Sequence, residues 1–114
     1  MKAKHLSREQ LLPAPEIRPS HGNTVKYIEV IGGKGRIVIP QYPGISIGHK
    51  IYWSVKGNGT TFSMITVEKL EPSYEAVLKF DIVFDSESVF ASYFVMLDDE
   101  VLGYSHESPY IVLR

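Results

Sequence analysis

Between Lys50 and Lys56 the side chains alternate without a break, with Ile51, Trp53 and Val55 at every second position and Lys50, Tyr52, Ser54 and Lys56 between them. A period of two sends successive side chains to opposite sides of an extended backbone, so this stretch makes a strand with one apolar and one polar face. The same period recurs along the chain. Thr24 to Ile31 sets Val25, Tyr27, Glu29 and Ile31 against Lys26, Ile28 and Val30, and Arg36 to Ile39 puts Ile37 and Ile39 together. Thr60 to Glu68 is rich in β-branched residues, and Ala76 to Asp85 sets Leu78, Phe80, Ile82 and Phe84 against Lys79, Asp81 and Asp85. Val101 to Tyr104 and Tyr110 to Leu113 complete the series. No stretch holds a helical period.

Glycine, proline, Asn and Asp punctuate these stretches. Gly32-Gly33-Lys34-Gly35 is expected as a hairpin turn, Pro40, Pro43, Gly44 and Gly48 as a bend, and Gly57-Asn58-Gly59 and Asp98-Asp99-Glu100 as tight reversals. Three prolines between residues 11 and 22 predict an extended lead-in, with Ala14 to Arg18 pairing at a sheet edge. A chain of 114 residues builds one core. The expected fold is all-β: an immunoglobulin-like two-sheet antiparallel sandwich of about seven strands with Trp53 between the sheets, a small β-barrel being the alternative. Residues 1–11 are expected as a flexible tail and residues 12–114 as the domain.

The stretch from 88 to 97 departs from the pattern because both of its faces are apolar. Val89, Ala91, Tyr93, Val95 and Leu97 lie on one, Phe90, Phe94 and Met96 on the other. The first set suffices for the core, so Phe90, Phe94 and Met96 face outward beside Tyr52 of the neighbouring strand. Such a patch marks association with a partner, or else the N-terminal arm or the strand at 60–68 folds across it.

Composition narrows the partner classes. Lys and Arg total 12 against 13 Asp and Glu, a net charge of -1, so no overall positive field draws nucleic acid. Lys2, Lys4, His5 and Arg8 read as a solvated tail rather than a nucleic-acid arm. No cysteine is present, which removes thiolate nucleophiles and cysteine-ligated zinc. No apolar run approaches the roughly 20 residues of a membrane helix, and no apolar stretch of a secretory signal follows the basic N-terminus. The expectation is no membrane insertion, with the cytoplasm as default compartment or export by an unconventional route.

Arg36-Ile37-Val38-Ile39-Pro40-Gln41-Tyr42-Pro43-Gly44, followed by Gly48-His49-Lys50-Ile51-Tyr52-Trp53, resembles the immunoglobulin-like repeats of large bacterial surface proteins and adhesins. Ala91-Ser92-Tyr93-Phe94-Val95 is similar to their Val-x-Tyr-x-Val-like strand, and Ser108-Pro109-Tyr110-Ile111-Val112-Leu113 to the approach to their final strand. The resemblance runs over about residues 12 to 114 and implies the sandwich fold and a non-enzymatic role.

Patterns with chemical potential are sparse. Gly32-Gly33-Lys34-Gly35 lacks the Ser or Thr and the following helix of a phosphate loop. His5, His21, His49 and His106 show no metal-ligand spacing, and Ser105-His106-Glu107-Ser108 has no nucleophile elbow. The acidic groups Asp81, Asp85, Glu87 and Asp98, Asp99, Glu100 would bind a hard cation only if the fold brought them together. No cofactor, metal or catalytic residue is therefore expected. The leading expectation is a non-catalytic interaction module that binds a protein or a glycan, a homodimer included, through Tyr52, Phe90, Phe94 and Met96. One alternative is a carbohydrate-binding module using Tyr42, Tyr52, Tyr74, Tyr104 or Tyr110. Another is a small hydrolase or isomerase with His49 or His106 beside a carboxylate.

Overall fold

The alternation at the centre of the sequence becomes the centre of a sheet. In the computed structural model, which describes residues 11–114, the strand Lys50–Gly57 pairs antiparallel with Ser88–Leu97, setting Ile51 opposite Val95, Trp53 opposite Tyr93 and Val55 opposite Ala91. All six side chains are buried between two sheets. Nine strands form along the described chain: β1 (Glu16–Arg18), β2 (Thr24–Lys26), β3 (Gly35–Pro40), β4 (Lys50–Gly57), β5 (Gly59–Thr66), β6 (Ser73–Leu78), β7 (Ser88–Leu97), β8 (Glu100–Tyr104) and β9 (Ser108–Leu113). The smaller sheet runs β1-β3-β6, and the larger runs β2-β9-β7-β4-β5 with β8 also on β7. This is the immunoglobulin-like order: β1, β3 and β6 take the places of A, B and E, and β4, β7 and β9 those of C, F and G, with β5 added beyond C. The count exceeds seven mainly because β1 and β2 are separate three-residue strands.

Two expected strands end early. Thr24 to Ile31 keeps strand geometry only to Lys26, where β2 lies parallel to β9, and then makes one helical turn, α1 (Tyr27–Val30). The chain must cross here from the larger sheet to the smaller, and the turn lets Val25 and Val30 both reach the core although five residues apart. Gly32 to Gly35 therefore connects two sheets instead of closing a hairpin, with Gly32 and Gly33 both at positive φ. Likewise β6 stops at Leu78, and Asp81–Phe84 forms a 3-10 turn on the way back to the larger sheet. That turn buries Val83 and Phe84 and leaves Phe80 and Ile82 outside, where an uninterrupted strand would have buried both. The other reversals fold as the sequence implies. Gly57 and Gly59 face each other across the β4–β5 hairpin, and Asp98 and Asp99 both adopt positive φ in the β7–β8 turn.

The proline-rich lead-in closes one side of the sandwich. Leu12 is buried and exchanges backbone bonds with β8 and its sequel, Leu12 N–H to Tyr104 O (2.8 Å) and His106 N–H to Leu12 O (2.9 Å). Beyond it, Tyr93 donates to Pro13 O (2.7 Å), Ser108 donates to Pro15 O, and Tyr110 accepts from Ile17 N–H (3.0 Å). Ile17 then pairs with Ile37 in the smaller sheet, so the edge pairing expected for Ala14 to Arg18 forms over Glu16–Arg18, while Ala14 and Pro15 stay outside the strand. Residues 1–10 of the expected tail lie outside the described residues. Among the described residues no helix is long and apolar enough to cross a membrane.

Two substitutions test this framework. Gly57→Ala would set its Cβ 2.2 Å from Val83 O and 2.7 Å from Val89 Cγ1, so urea unfolding should show a loss of about 2–3 kcal/mol. Tyr110→Phe leaves the buried Ile17 N–H without its acceptor and should cost about 1–3 kcal/mol by the same measurement.

Candidate interaction surface

Residues opposite each other in a sheet share a face, so the pairing register defines the outer surface of the larger sheet. One row crosses four strands: Met64 on β5, Tyr52 on β4, Phe94 on β7 and Tyr104 on β8. A second holds Phe62, Ser54 and Ser92, and a third Thr60, Lys56, Phe90 and Pro109. Met96 lies opposite Lys50, and Ile111 opposite Ser88. Tyr52, Phe94 and Met96 are half-buried by their neighbours, whereas Phe90, Tyr104, Ile111 and above all Phe62, at 73% exposure, stand open. The four residues expected to form an outward apolar face do share one face.

The rings in the central row touch one another. Tyr52 and Phe94 stack with centroids 5.2 Å apart and planes 9° off parallel, and Phe94 lies 5.9 Å from Tyr104 at 42°. Tyr52 and Phe94 thus each spend one ring face on the other. Lys26, Lys50 and Lys56 lie on the same side of the sheet and have no ion-pair partner among the described residues. No Asp or Glu stands on that face of β4, β5, β7 or β9. The smaller sheet differs: its outside carries ion pairs, Arg36 with Glu75 (3.0 Å) and Arg18 with Glu16 (2.8 Å).

The strand at 60–68 does not fold across this surface. As β5 it extends the same sheet and adds Phe62 and Met64 to the patch. Those two were missing from the expected site, although the tight Gly57-Asn58-Gly59 reversal already implied that β5 lies beside β4. The tyrosines divide otherwise than expected: Tyr42, Tyr74 and Tyr110 are buried, which leaves Tyr52 and Tyr104 at the surface. Tyr42 and Tyr93 are held as neutral phenols, because burial pushes both hydroxyls well above their ordinary ionisation range.

His49 is buried in the bend before β4. The Tyr42 hydroxyl lies 2.9 Å from its Nδ1 and the Ser46 hydroxyl 3.2 Å from its Nε2, and the Tyr42 and His49 rings are parallel within 4°. Ser46 and His49 belong to one turn, in which His49 N–H donates to Ser46 O. Asp98 and Glu100 line the cleft beside this group, and the partners of the imidazole among the described residues are the Tyr42 and Ser46 hydroxyls. Burial lowers the pKa of His49 below the ordinary value. Its neutral ring joins the bend to the core.

Several of the remaining candidates have structural partners. Both oxygens of the Asp81 carboxylate accept from Gly32 N–H, which occupies the amide that an anion in the glycine loop would use. Asp85 pairs with Arg114 at 2.7 Å and His21 with Glu29 at 2.9 Å. Ser105 Oγ accepts from Tyr93 N–H and donates to His106 O, a purely local function. The two acidic groups lie at opposite ends of the ten-residue β7, about 30 Å apart, so they cannot share a cation. Lys2, Lys4, His5 and Arg8 lie outside the described residues. No family model, curated protein or solved structure matches this chain.

The buried imidazole sets a pH dependence. Its folded pKa lies below its unfolded one, so the unfolded chain binds the proton first; the stability is complete above about pH 6.5 and falls as the pH drops through the folded value. Urea unfolding at pH 7.5 and pH 5 should show that loss in the native protein and a smaller loss in His49→Gln.

Proposed function

We propose that the chain is a non-catalytic interaction module whose outer aromatic face binds another protein. The single observation that carries this reading is the row Met64, Tyr52, Phe94 and Tyr104, continued by fully open Phe62, on a sheet whose other face already supplies the core. A flat surface of aromatic and Met side chains gives contact area at small entropic cost. The mutual stacking of Tyr52 and Phe94 favours a protein over a glycan, since a sugar ring needs a free aromatic face and these two have turned a face towards each other. Lys26, Lys50 and Lys56 around the patch favour a partner with an apolar centre and an acidic rim. They disfavour a second copy docked face to face, which would add three more lysines and no carboxylate from β4, β5, β7 or β9.

A photo-crosslinking side chain placed at Phe90 or Tyr104 tests the reading in cells, with the same group at Arg36 on the other sheet as the control. The expected result is a discrete protein adduct from the first two positions, absent from the third and lost when Phe94→Asp is added. That variant should remain folded with about 1 kcal/mol less stability. No adduct, or one indifferent to Phe94→Asp, overturns the proposal. Binding on a glycan array that Phe94→Asp abolishes would replace the protein with a sugar.

A further inference from the structure

The two lateral sides of the sandwich are finished differently. On one, the lead-in bridges the sheets through Tyr93, Ser108 and Tyr110. On the other, β5 ends the larger sheet and β6 ends the smaller, and no backbone hydrogen bond joins them among the described residues. Between them lies a groove of about 450 Å³, lined in part by Trp53, Ser63, Ile65, Ala76, Lys79 and Phe80.

Three properties of this side belong together. First, β5 is a long, bare edge: it pairs with β4 along all eight residues without a bulge, and Gly59–Thr66 contains neither a charge nor a proline. Sheet edges that are meant to stay free usually carry such a charge, proline or bulge, because a row of unpaired N–H and C=O groups templates another strand. Second, Trp53, only 4% exposed, lines the groove, so a side chain docked between β5 and β6 lies against the buried indole. Third, Lys79 is the charged side chain among the residues that line the groove, and no carboxylate accompanies it.

We infer that this groove receives an extended segment of a partner protein, added as a further strand to the free edge of β5. Its backbone pairs with β5, and alternate apolar side chains enter between β5 and β6 against Ile65, Ala76 and Phe80. One acidic side chain reaches Lys79. Main-chain bonds supply affinity in such strand addition, and the pockets for alternate side chains supply selectivity. Lys79, with no carboxylate among the residues that line the groove, favours an acidic segment over a second copy, since a second β5 brings no Asp or Glu to the edge. The inference does not rest on the outer face: it concerns the lateral edge, and the substitutions that probe it differ from those at Phe94.

Synthetic eight-residue peptides test it directly, with alternating Val and Thr, blocked termini, and Asp, Asn or Lys at one Val position. Trp53 is the single tryptophan of the chain, so its fluorescence reports binding at the groove. The expected result is at least tenfold tighter binding of the Asp peptide than of the Lys peptide, a shift of Trp53 emission, and at least tenfold slower amide exchange within Gly59–Thr66. Lys79→Glu should invert the preference, and N-methylation of alternate peptide amides, which leaves the protein intact, should abolish binding in one of its two phases. Binding of none of these peptides, or binding indifferent to both changes, overturns the inference. Protection of β5 that grows with protein concentration alone also overturns it, by assigning the edge to a second copy.

Discussion

The structure depends on how the lead-in from Leu12 to Ile17 is tied across the sandwich. Pro13 and Pro15 have no amide hydrogen, so between the bridge at Leu12 and the start of β1 the chain cannot form a continuous ladder; what it offers the larger sheet are carbonyls at 13 and 15 and an amide at 17. The larger sheet answers each with a side chain: Tyr93 and Ser108 donate to the two carbonyls, and Tyr110 accepts from Ile17. Tyr93 and Tyr110 are otherwise core residues, and their buried hydroxyls would be costly without these partners. The lead-in thus fixes where β1 enters the smaller sheet, and with it the position of β3 and β6 over the core. One lateral side is closed by these bonds, and the opposite side has no equivalent.

The two sheets also use their outer surfaces differently. On the smaller, Arg36 with Glu75 and Arg18 with Glu16 answer each other in solvent, an arrangement that adds little stability but leaves no charge calling for a partner. On the larger, stacked and exposed rings lie among lysines with no ion pair among the described residues. The outer face and the bare edge meet at β5, whose Phe62 and Met64 belong to the patch and also line the groove beside Ser63 and Ile65. Both surfaces suit an apolar, acidic partner. His49, the residue with the most distinct chemistry, is committed to holding Tyr42 and Ser46 in the bend that introduces β4.

Much of this was legible in the order of residues. Ile51, Trp53 and Val55 could be buried only as one face of a strand, and the surplus of Phe90, Phe94 and Met96 on β7 marked the outer patch before any pairing was known. Two stretches misled for one physical reason. In Thr24 to Ile31 and Ala76 to Asp85 the alternation of apolar residues runs on past the points at which the chain must leave one sheet for the other, and a local period carries no record of where a partner strand ends. Tyr42, Tyr74 and Tyr110 misled for another, since a tyrosine is equally at home in solvent or in a core that gives its hydroxyl a partner.

By itself, then, the sequence determined an all-β chain with Trp53 on the apolar face of a strand and a surplus of aromatic side chains on β7, because a period of two and the turn residues act locally. Which tyrosines are buried, that β5 extends the sheet instead of covering the patch, that the lead-in shuts one side, and that Trp53 lines a groove beside an open edge were decided only in the tertiary structure. Each depends on pairings between residues far apart in the chain, where register and sheet order, not local pattern, choose what a side chain meets.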